Sequence, residues 1–172
     1  MIAHHLLLLL LFLAACSPSD GSGAAGGEST AAVATVVVVR HAEKAAGEDP
    51  ELTAAGQERA IRLRDRLAEA RVTAAYSTDT RRTRATARPT ADHHGLPVRL
   101  YAPDDNEFVK ILRATPSGQT VLVVGHSNTV PALVSRLVPR TTIAPIGEAD
   151  FGNLYRITLR EGREDRVRQL RY

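Results

Sequence analysis

Two short runs of aliphatic, mostly β-branched residues dominate the hydrophobic pattern of the chain. The first, Val36-Val37-Val38-Val39, is followed at once by Arg40 and His41. The second, Val121-Leu122-Val123-Val124-Gly125, is followed by His126. Such runs are typical of strands buried on both faces, as in a parallel sheet. Ligands of open α/β sheets bind beyond the carboxyl ends of the strands, so we expect both histidines to belong to one site.

Helical and strand patterns alternate along the rest of the chain. Thr53 is the predicted N-cap of a helix that runs to about Ala70 and buries Ala60, Ile61, Leu63 and Leu67. The further predicted elements are strand 73–76, a helix over 81–93 disturbed at Pro89 and stopped by Gly95, strand 97–101, helix 107–114, strand 119–124, helix 129–137, and a hairpin of strands 151–159 and 166–170. This alternation predicts an α/β fold, a three-layer α/β/α sandwich with a mostly parallel central sheet and the hairpin on one side.

The amino-terminal residues have the pattern of a targeting segment. Residues 1–15 contain an apolar run, Leu6 to Leu13, of the length of a signal-peptide core, and Leu13-Ala14-Ala15-Cys16 resembles the lipobox of bacterial lipoproteins. We expect lipidation at Cys16, a flexible Gly/Ser/Ala-rich tether over 16–32, and a folded domain over 33–172. The expected location is extracytoplasmic, with the lipid in a bacterial membrane on its periplasmic or cell-surface side. The alternative is an ordinary secretory leader with Cys16 as a bystander.

Composition and charge narrow the class of ligand. The chain has 172 residues, 44% of them hydrophobic, which suits one globular domain, and a formal charge of +3. Arginine greatly outnumbers lysine, and a planar guanidinium is better suited than an ammonium group to donate paired hydrogen bonds to phosphate or carboxylate. No nucleic-acid-binding motif is present, so we expect no nucleic-acid partner. The single cysteine excludes an intramolecular disulfide.

Four motifs, in this order, resemble those of the histidine phosphatase superfamily, also called the phosphoglycerate-mutase-like fold. They are Val-Val-Arg40-His41-Ala42-Glu43, Leu52-Thr53-x-x-Gly56, Ser77-Thr78-x-x-x-Arg82-x-x-x-Thr86-Ala87, and Val-Gly125-His126-Ser127-Asn128. The resemblance implies that His41 is the nucleophile and takes the phosphoryl group. It implies that Arg40, Arg82 and His126 bind the phosphate oxygens, and that no metal or other cofactor is needed.

The resemblance also implies a carboxylic acid that protonates the leaving group. Glu107 lies about as far after Arg82 as the donor glutamate does in related phosphatases, and Asp104 and Asp105 are rivals. All three could instead belong to a solvated loop and helix start.

Several polar neighbours of these motifs are predicted to be structural. Ser127 is expected to cap the following helix. Glu43 and Lys44 are expected to orient their loop or pair with each other. Other side chains expected at the surface are those of Arg81, Arg84, Arg88, His93 and His94.

Together these patterns predict a metal-independent phosphomonoester hydrolase that acts through a phosphohistidine. Its expected partners are a membrane, reached through the amino-terminal lipid, and a phosphorylated small molecule, glycan or protein. The main alternative is a non-catalytic phosphate- or anion-binding lipoprotein. A phosphomutase is disfavoured because the short chain leaves little sequence for a lid.

Overall fold

The computed structural model describes residues 33–172, so the predicted leader, Cys16 and the whole tether lie outside the described residues. The strands are β1 (Ala34–Arg40), β2 (Val72–Ser77), β3 (Val98–Leu100), β4 (Thr120–Gly125), β5 (Asn153–Leu159) and β6 (Arg166–Arg171). The helices are α1 (Ala54–Leu67), α2 (Arg81–His93), α3 (Asn106–Arg113) and α4 (Thr129–Leu137). None of these helices, within the described part of the chain, is long and apolar enough to span a membrane.

The strands form one sheet in the order β3-β2-β4-β1-β5-β6. The strands β3, β2, β4 and β1 pair in parallel, whereas β5 and β6 form an antiparallel hairpin beside β1. This arrangement confirms the predicted mostly parallel sheet with the hairpin on one side. In the β1–β4 register, Val36 lies opposite Val121 and Arg40 lies opposite Gly125. The two polar segments that follow these strands are therefore side by side.

The valines of β1 point alternately into two hydrophobic clusters. Val36 and Val38 join the cluster that contains residues of α3 and α4, and Val37 and Val39 join the one with residues of α1 and α2. All four valines are fully buried. The sheet is thus covered on both faces, which confirms the three-layer α/β/α sandwich and explains the unbroken apolar run in β1.

Two details of the helices differ from the sequence prediction. Ile61 of α1 is 42% exposed and not buried, because the helix turns Leu63 and Leu67 toward the sheet and leaves Ile61 at the edge of that face. Pro89 does not break α2, which continues to His93. Thr86, Ala87, Thr90 and Ala91 of α2 are all buried, so packing against the sheet holds the helix together across the missing N–H. Gly95, at φ +66°, follows the helix end as predicted.

Candidate active site

The two predicted histidines meet at the carboxyl ends of β1 and β4. The His41 backbone N–H donates to the Gly125 carbonyl at 2.9 Å, which continues the pairing of the two strands by one residue. The rings of His41 and His126 are in edge-to-face contact, with centroids 5.5 Å apart. His41 is only 3% exposed. The structure therefore brings together the two residues that the strand pattern placed in one site.

The hydrogen bonds of His41 determine its tautomer. Its Nδ1 lies 2.8 Å from the Ala42 carbonyl oxygen, which can only accept, so Nδ1 carries the proton and Nε2 keeps a free lone pair. The Ala42 N–H in turn donates to Thr86 Oγ1 at 3.0 Å, which ties this loop to α2. Burial, helped by the charges of Arg40 and Arg82, lowers the pKa of His41 to about 4. The ring is therefore neutral near pH 7, as a nucleophile requires.

His126 is held by one partner at each ring nitrogen. Its Nδ1 lies 3.4 Å from Arg82 Nη2, a group that can only donate, and its Nε2 lies 2.9 Å from Thr78 Oγ1. The Thr78 hydroxyl donates onward to Thr83 Oγ1 at 3.1 Å, so it is free to accept from Nε2–H. Burial first, and then the charges of Arg82 and Arg40, lower the pKa of His126 to about 4. The imidazole is thus a neutral donor at Nε2.

Gly125 is required by the close approach of side chains to the end of β4. A Cβ at this position would lie 2.8 Å from Thr129 Oγ1 and 2.9 Å from Tyr101 Oη. Thr129 Oγ1 also accepts from the His126 N–H at 2.9 Å. The prediction that Ser127 caps α4 is wrong: Asn128 occupies the N-cap position without a side-chain cap bond. Thr129, the first residue of α4, therefore supplies the hydrogen-bond acceptor for the backbone N–H of His126, which precedes the helix.

Arg40 is buried and clamped by a segment distant in sequence. Its guanidinium lies 4.3 Å from the centroid of the Phe151 ring, and its Nη1 donates to the carbonyls of Gly147 at 2.6 Å and Glu148 at 2.9 Å. The Phe151 ring also approaches His41, with centroids 6.0 Å apart. Burial lowers the pKa of Arg40, although the nearby carboxylates oppose this. One edge of the guanidinium is therefore fixed, and its Nε, which has no partner among the described residues, remains available.

Arg82 projects from the first turn of α2 toward His126. Its side chain is 17% exposed, and its Nη1 lies 3.3 Å from the Asp49 carboxylate. Its Nε, like that of Arg40, is buried without a hydrogen-bond partner among the described residues. The predicted surface arginines of the same helix, Arg81, Arg84 and Arg88, are exposed. Arg82 alone of the four combines low exposure with contact to a predicted catalytic histidine.

The arrangement has the chemistry of an oxyanion site. Arg40 and Arg82, whose charges act on His41 and His126, each have one guanidinium nitrogen without a hydrogen-bond partner among the described residues. This suits the binding of an acceptor such as an oxyanion. Planar guanidinium groups match the oxygens of phosphate, and a neutral Nε2 can attack phosphorus.

The comparison with protein families agrees with this geometry. The sequence profile of the histidine phosphatase superfamily (branch 1) matches residues 36–102, the segment that carries Arg40, His41 and Arg82. The match bears out the predicted resemblance to this superfamily over the segment that carries the first three motifs, and it favours a phosphatase, as predicted. Among curated protein sequences, no match was found.

Solved structures of two phosphatases and a mutase share the fold of this chain. The protein histidine phosphatase SixA in complex with tungstate has a TM-score of 0.64 at 21% identity, over 80% of this chain and 96% of that one. The mycobacterial glucosyl-3-phosphoglycerate phosphatase gives 0.59 at 16%, over 81% and 98%. A phosphoglycerate mutase from Plasmodium falciparum gives 0.58 at 18%, over 81% and 91%. Identities of this size show a common fold.

The predicted proton donor does not join the cluster. Glu107 is 68% exposed and pairs with Lys110 at 2.6 Å, and Asp105 caps α3 by accepting from the Glu107 N–H at 2.8 Å. The role of Glu107 stays a prediction. Asp49 is the carboxylate that contacts Arg82, and the sequence pattern gave no signal for it because the residue lies in an irregular loop.

Glu43 has a structural partner other than the one expected. It pairs with Arg59 of α1 at 2.6 Å and not with Lys44, and this bond lowers the pKa of Glu43. Arg59 Nη1 also donates to the Tyr172 carbonyl at 3.0 Å. The loop that follows His41 is therefore fastened to α1 and to the carboxyl terminus.

Proposed function

We propose that the chain hydrolyses phosphomonoesters through a phosphohistidine formed on Nε2 of His41. The observation that carries this proposal is the free Nε2 of a buried, neutral His41, held in place through Nδ1 and flanked by cationic and donor groups. Nε2 attacks the phosphorus atom, a P–N bond forms and the bond to the leaving oxygen breaks. Water then attacks the same phosphorus, which releases inorganic phosphate and restores the free imidazole.

Arg40, Arg82 and His126 stabilise the charge on the transferred group. Phosphoryl transfer has a loose transition state with charge spread over three equatorial oxygens, so preorganised donors supply most of the catalysis. Arg40 and Arg82 are close enough to lower the pKa of His41, and the Nε of each lacks a partner among the described residues. In this proposal the Nε2–H of His126 exchanges its bond to Thr78 for one to a phosphate oxygen. In this proposal the arginine charges fill the role that a magnesium ion has in other phosphoryl-transfer sites, so no metal is needed.

The ligands named for structures of the same fold support an oxyanion site. One is the SixA complex with tungstate, and another is the mycobacterial phosphatase in complex with VO3. Both oxyanions resemble phosphate, and vanadate can adopt the five-coordinate geometry of phosphoryl transfer. We therefore expect vanadate to inhibit this chain in competition with substrate.

The test is a panel of phosphomonoesters assayed with a metal chelator present. The panel contains nitrophenyl phosphate, sugar phosphates and phosphopeptides, which represent the open classes of substrate. Wild type should turn over at least one of them at a rate that the chelator leaves unchanged. The His41→Ala variant should fall to background, while the matched variant His93→Ala, changed at an exposed histidine, should keep full activity. Activity in His41→Ala, or a strict need for divalent ions, would refute the mechanism.

The placement of Glu107 favours one alternative, a non-catalytic anion-binding protein. Without an acid near the leaving oxygen, the arginine cluster could bind phosphorylated ligands and release them unchanged. Absence of turnover across the panel, together with binding of phosphate or vanadate that Arg82→Ala abolishes, would establish this alternative.

Anchoring by lipid at Cys16 outside the cytoplasm is part of the proposal. It is supported by the apolar run of residues 6–13 that ends in Leu13-Ala14-Ala15-Cys16. Cells that express the full chain should incorporate labelled fatty acid into wild type and not into Cys16→Ser. Equal labelling of the two proteins would overturn the anchor.

A further inference from the structure

A row of arginines that pair with no carboxylate in residues 33–172 lies on the face of the sheet beside α1, outside the active site. In the β5–β6 hairpin Arg156 lies directly opposite Arg168, and Arg166 lies opposite Thr158. Directly opposed residues point to the same side of a sheet, and Arg156, Arg166 and Arg168 are all exposed. Arg66, near the end of α1, lines the same cleft as Arg156. We call Arg66, Arg156, Arg166 and Arg168 the hairpin patch.

The charges of the hairpin patch are not compensated within the fold. In residues 33–172, every ion pair of arginine or lysine involves other side chains, and none of the four patch arginines has a carboxylate within 4.0 Å. Like charges that face each other across two strands destabilise the sheet. The Arg156–Arg168 pair is therefore an arrangement that an external anion would relieve.

Aliphatic side chains line part of the same cleft. Leu154 and Leu170, which lie opposite each other in the hairpin, form one wall, and Leu67 of α1 forms the other. Thr35, near the start of β1, also lines this cleft. The patch thus combines guanidinium groups with aliphatic side chains along the face of the hairpin, from the level of Thr35 to that of Val39.

The catalytic histidine follows the carboxyl end of β1. In the sheet register Arg156 lies opposite Val37, four residues before His41, and Arg166 is level with Thr35, six residues before it. At about 3.3 Å per residue, the hairpin arginines therefore lie roughly 13–20 Å from His41 along the strand. A surface held against the hairpin patch would therefore leave the mouth of the active site free. Docking there is independent of the chemistry at His41.

We propose that the hairpin patch is a docking surface for anionic phospholipid membranes. The arginines bind the phosphate groups of the lipids, and the leucine-lined cleft accepts aliphatic surface from the interface. A polybasic patch next to a lipid anchor provides the second signal that stable membrane binding needs, and each arginine near an anionic surface contributes roughly fivefold in affinity. The docked domain would present Arg40, His41 and His126 away from the bilayer.

The test uses fragment 31–172, a compact unit that holds all six strands and both hydrophobic clusters. The fragment lacks Cys16, so no lipid anchor contributes to binding. The fragment is sedimented with two kinds of vesicle: one of phosphatidylcholine alone, and one of phosphatidylcholine and phosphatidylglycerol in equal amounts. Binding should occur only with the mixed vesicles. The double variant Arg156→Gln/Arg168→Gln should bind them about thirtyfold more weakly, from roughly fivefold for each charge removed.

The matched control is Arg88→Gln/Arg99→Gln, which removes two exposed charges near the other edge of the sheet, on α2 and β3. This control should keep most of the binding, and neither double variant should lower the thermal midpoint. Equal losses in the two double variants, no binding by wild type, or equal binding to neutral vesicles would overturn the proposal. A competition assay gives a further outcome that would overturn the proposal. If duplex DNA displaced the protein from the vesicles at a lower concentration than soluble phosphatidylglycerol headgroup analogues, the patch would be a general polyanion site. Phosphatase assays of the same proteins report separately on the proposed function.

Discussion

Replacing Gly56 by alanine is predicted to destabilise the fold at the loop that follows the nucleophile. Gly56 lies in the first turn of α1 and packs on the backbone of Glu43. An added Cβ would overlap the Glu43 carbonyl oxygen and lie 3.0 Å from its carbonyl carbon. The same carbonyl accepts from the Thr53 N–H at 3.0 Å, so it cannot move aside without losing that bond. The steric conflict is therefore with fixed backbone and not with a flexible side chain.

Two opposing effects decide the magnitude. Alanine is the better helix former, by about 1 kcal/mol. Overpacking against a well-packed site costs about 1–3 kcal/mol, and contact with backbone places this case at the upper end. The expected net loss is about 2 kcal/mol in the free energy of unfolding. For a domain of this size that corresponds to a fall of about 4–8 °C in Tm.

Differential scanning calorimetry of Gly56→Ala measures this loss. The matched control is Gly147→Ala, where an added Cβ meets no atom within 4 Å and the backbone does not need a positive φ. The control should leave Tm nearly unchanged. A Tm for Gly56→Ala equal to or above that of wild type would mean that helix propensity outweighs the clash, and would refute the reasoning.

The remaining predictions concern the site. Arg82→Ala should lower kcat/KM by about 100-fold to 1,000-fold, as loss of one preorganised donor does. The control Arg84→Ala removes an exposed arginine that pairs with Asp79 and should be near neutral, so equal effects would contradict the placement of Arg82. In an NMR titration the His41 ring should stay neutral down to about pH 4, and a midpoint near 6.5 would disprove its burial. Because the unfolded chain protonates near pH 6.5, stability should fall from about pH 6.5 to about pH 4 as unfolding takes up protons at His41 and His126. If Glu107 is the general acid, Glu107→Gln should slow the pre-steady-state burst with alkyl phosphates far more than with nitrophenyl phosphate; equal slowing would remove that role.

The hydrophobic pattern of the strands was sufficient to predict that His41 and His126 lie in one site. The runs before His41 and His126 could only be buried strands, and parallel neighbours must bring their carboxyl ends together. The same pattern could not identify Phe151 and the Gly147 carbonyl as partners of Arg40, because these contacts span more than 100 residues and depend on how an irregular segment folds back.

Errors arose where tertiary contacts override local preference. Ile61 fits the apolar spacing of α1 but lies at the margin of its buried face. Ser127 has the side chain of a helix cap, yet Thr129 makes the bond to the backbone ahead of α4. The role of Glu107 is not among these errors: its carboxylate bonds to Lys110 on the exposed side of α3, and its part as proton donor stays a prediction.

The central claim is that His41 Nε2 carries the phosphoryl group during turnover, and trapping that group tests it most directly. Wild-type protein mixed with a reactive phosphomonoester for milliseconds, and quenched in alkali, should contain one phosphoryl group on the peptide that includes His41. The label should be stable in alkali, lost in acid, and bonded to Nε2, because Nδ1 is occupied by its hydrogen bond to the Ala42 carbonyl. His126→Ala should keep this site of labelling while forming the adduct more slowly. Phosphate found on His126, or turnover with no covalent adduct at any time, would contradict the account.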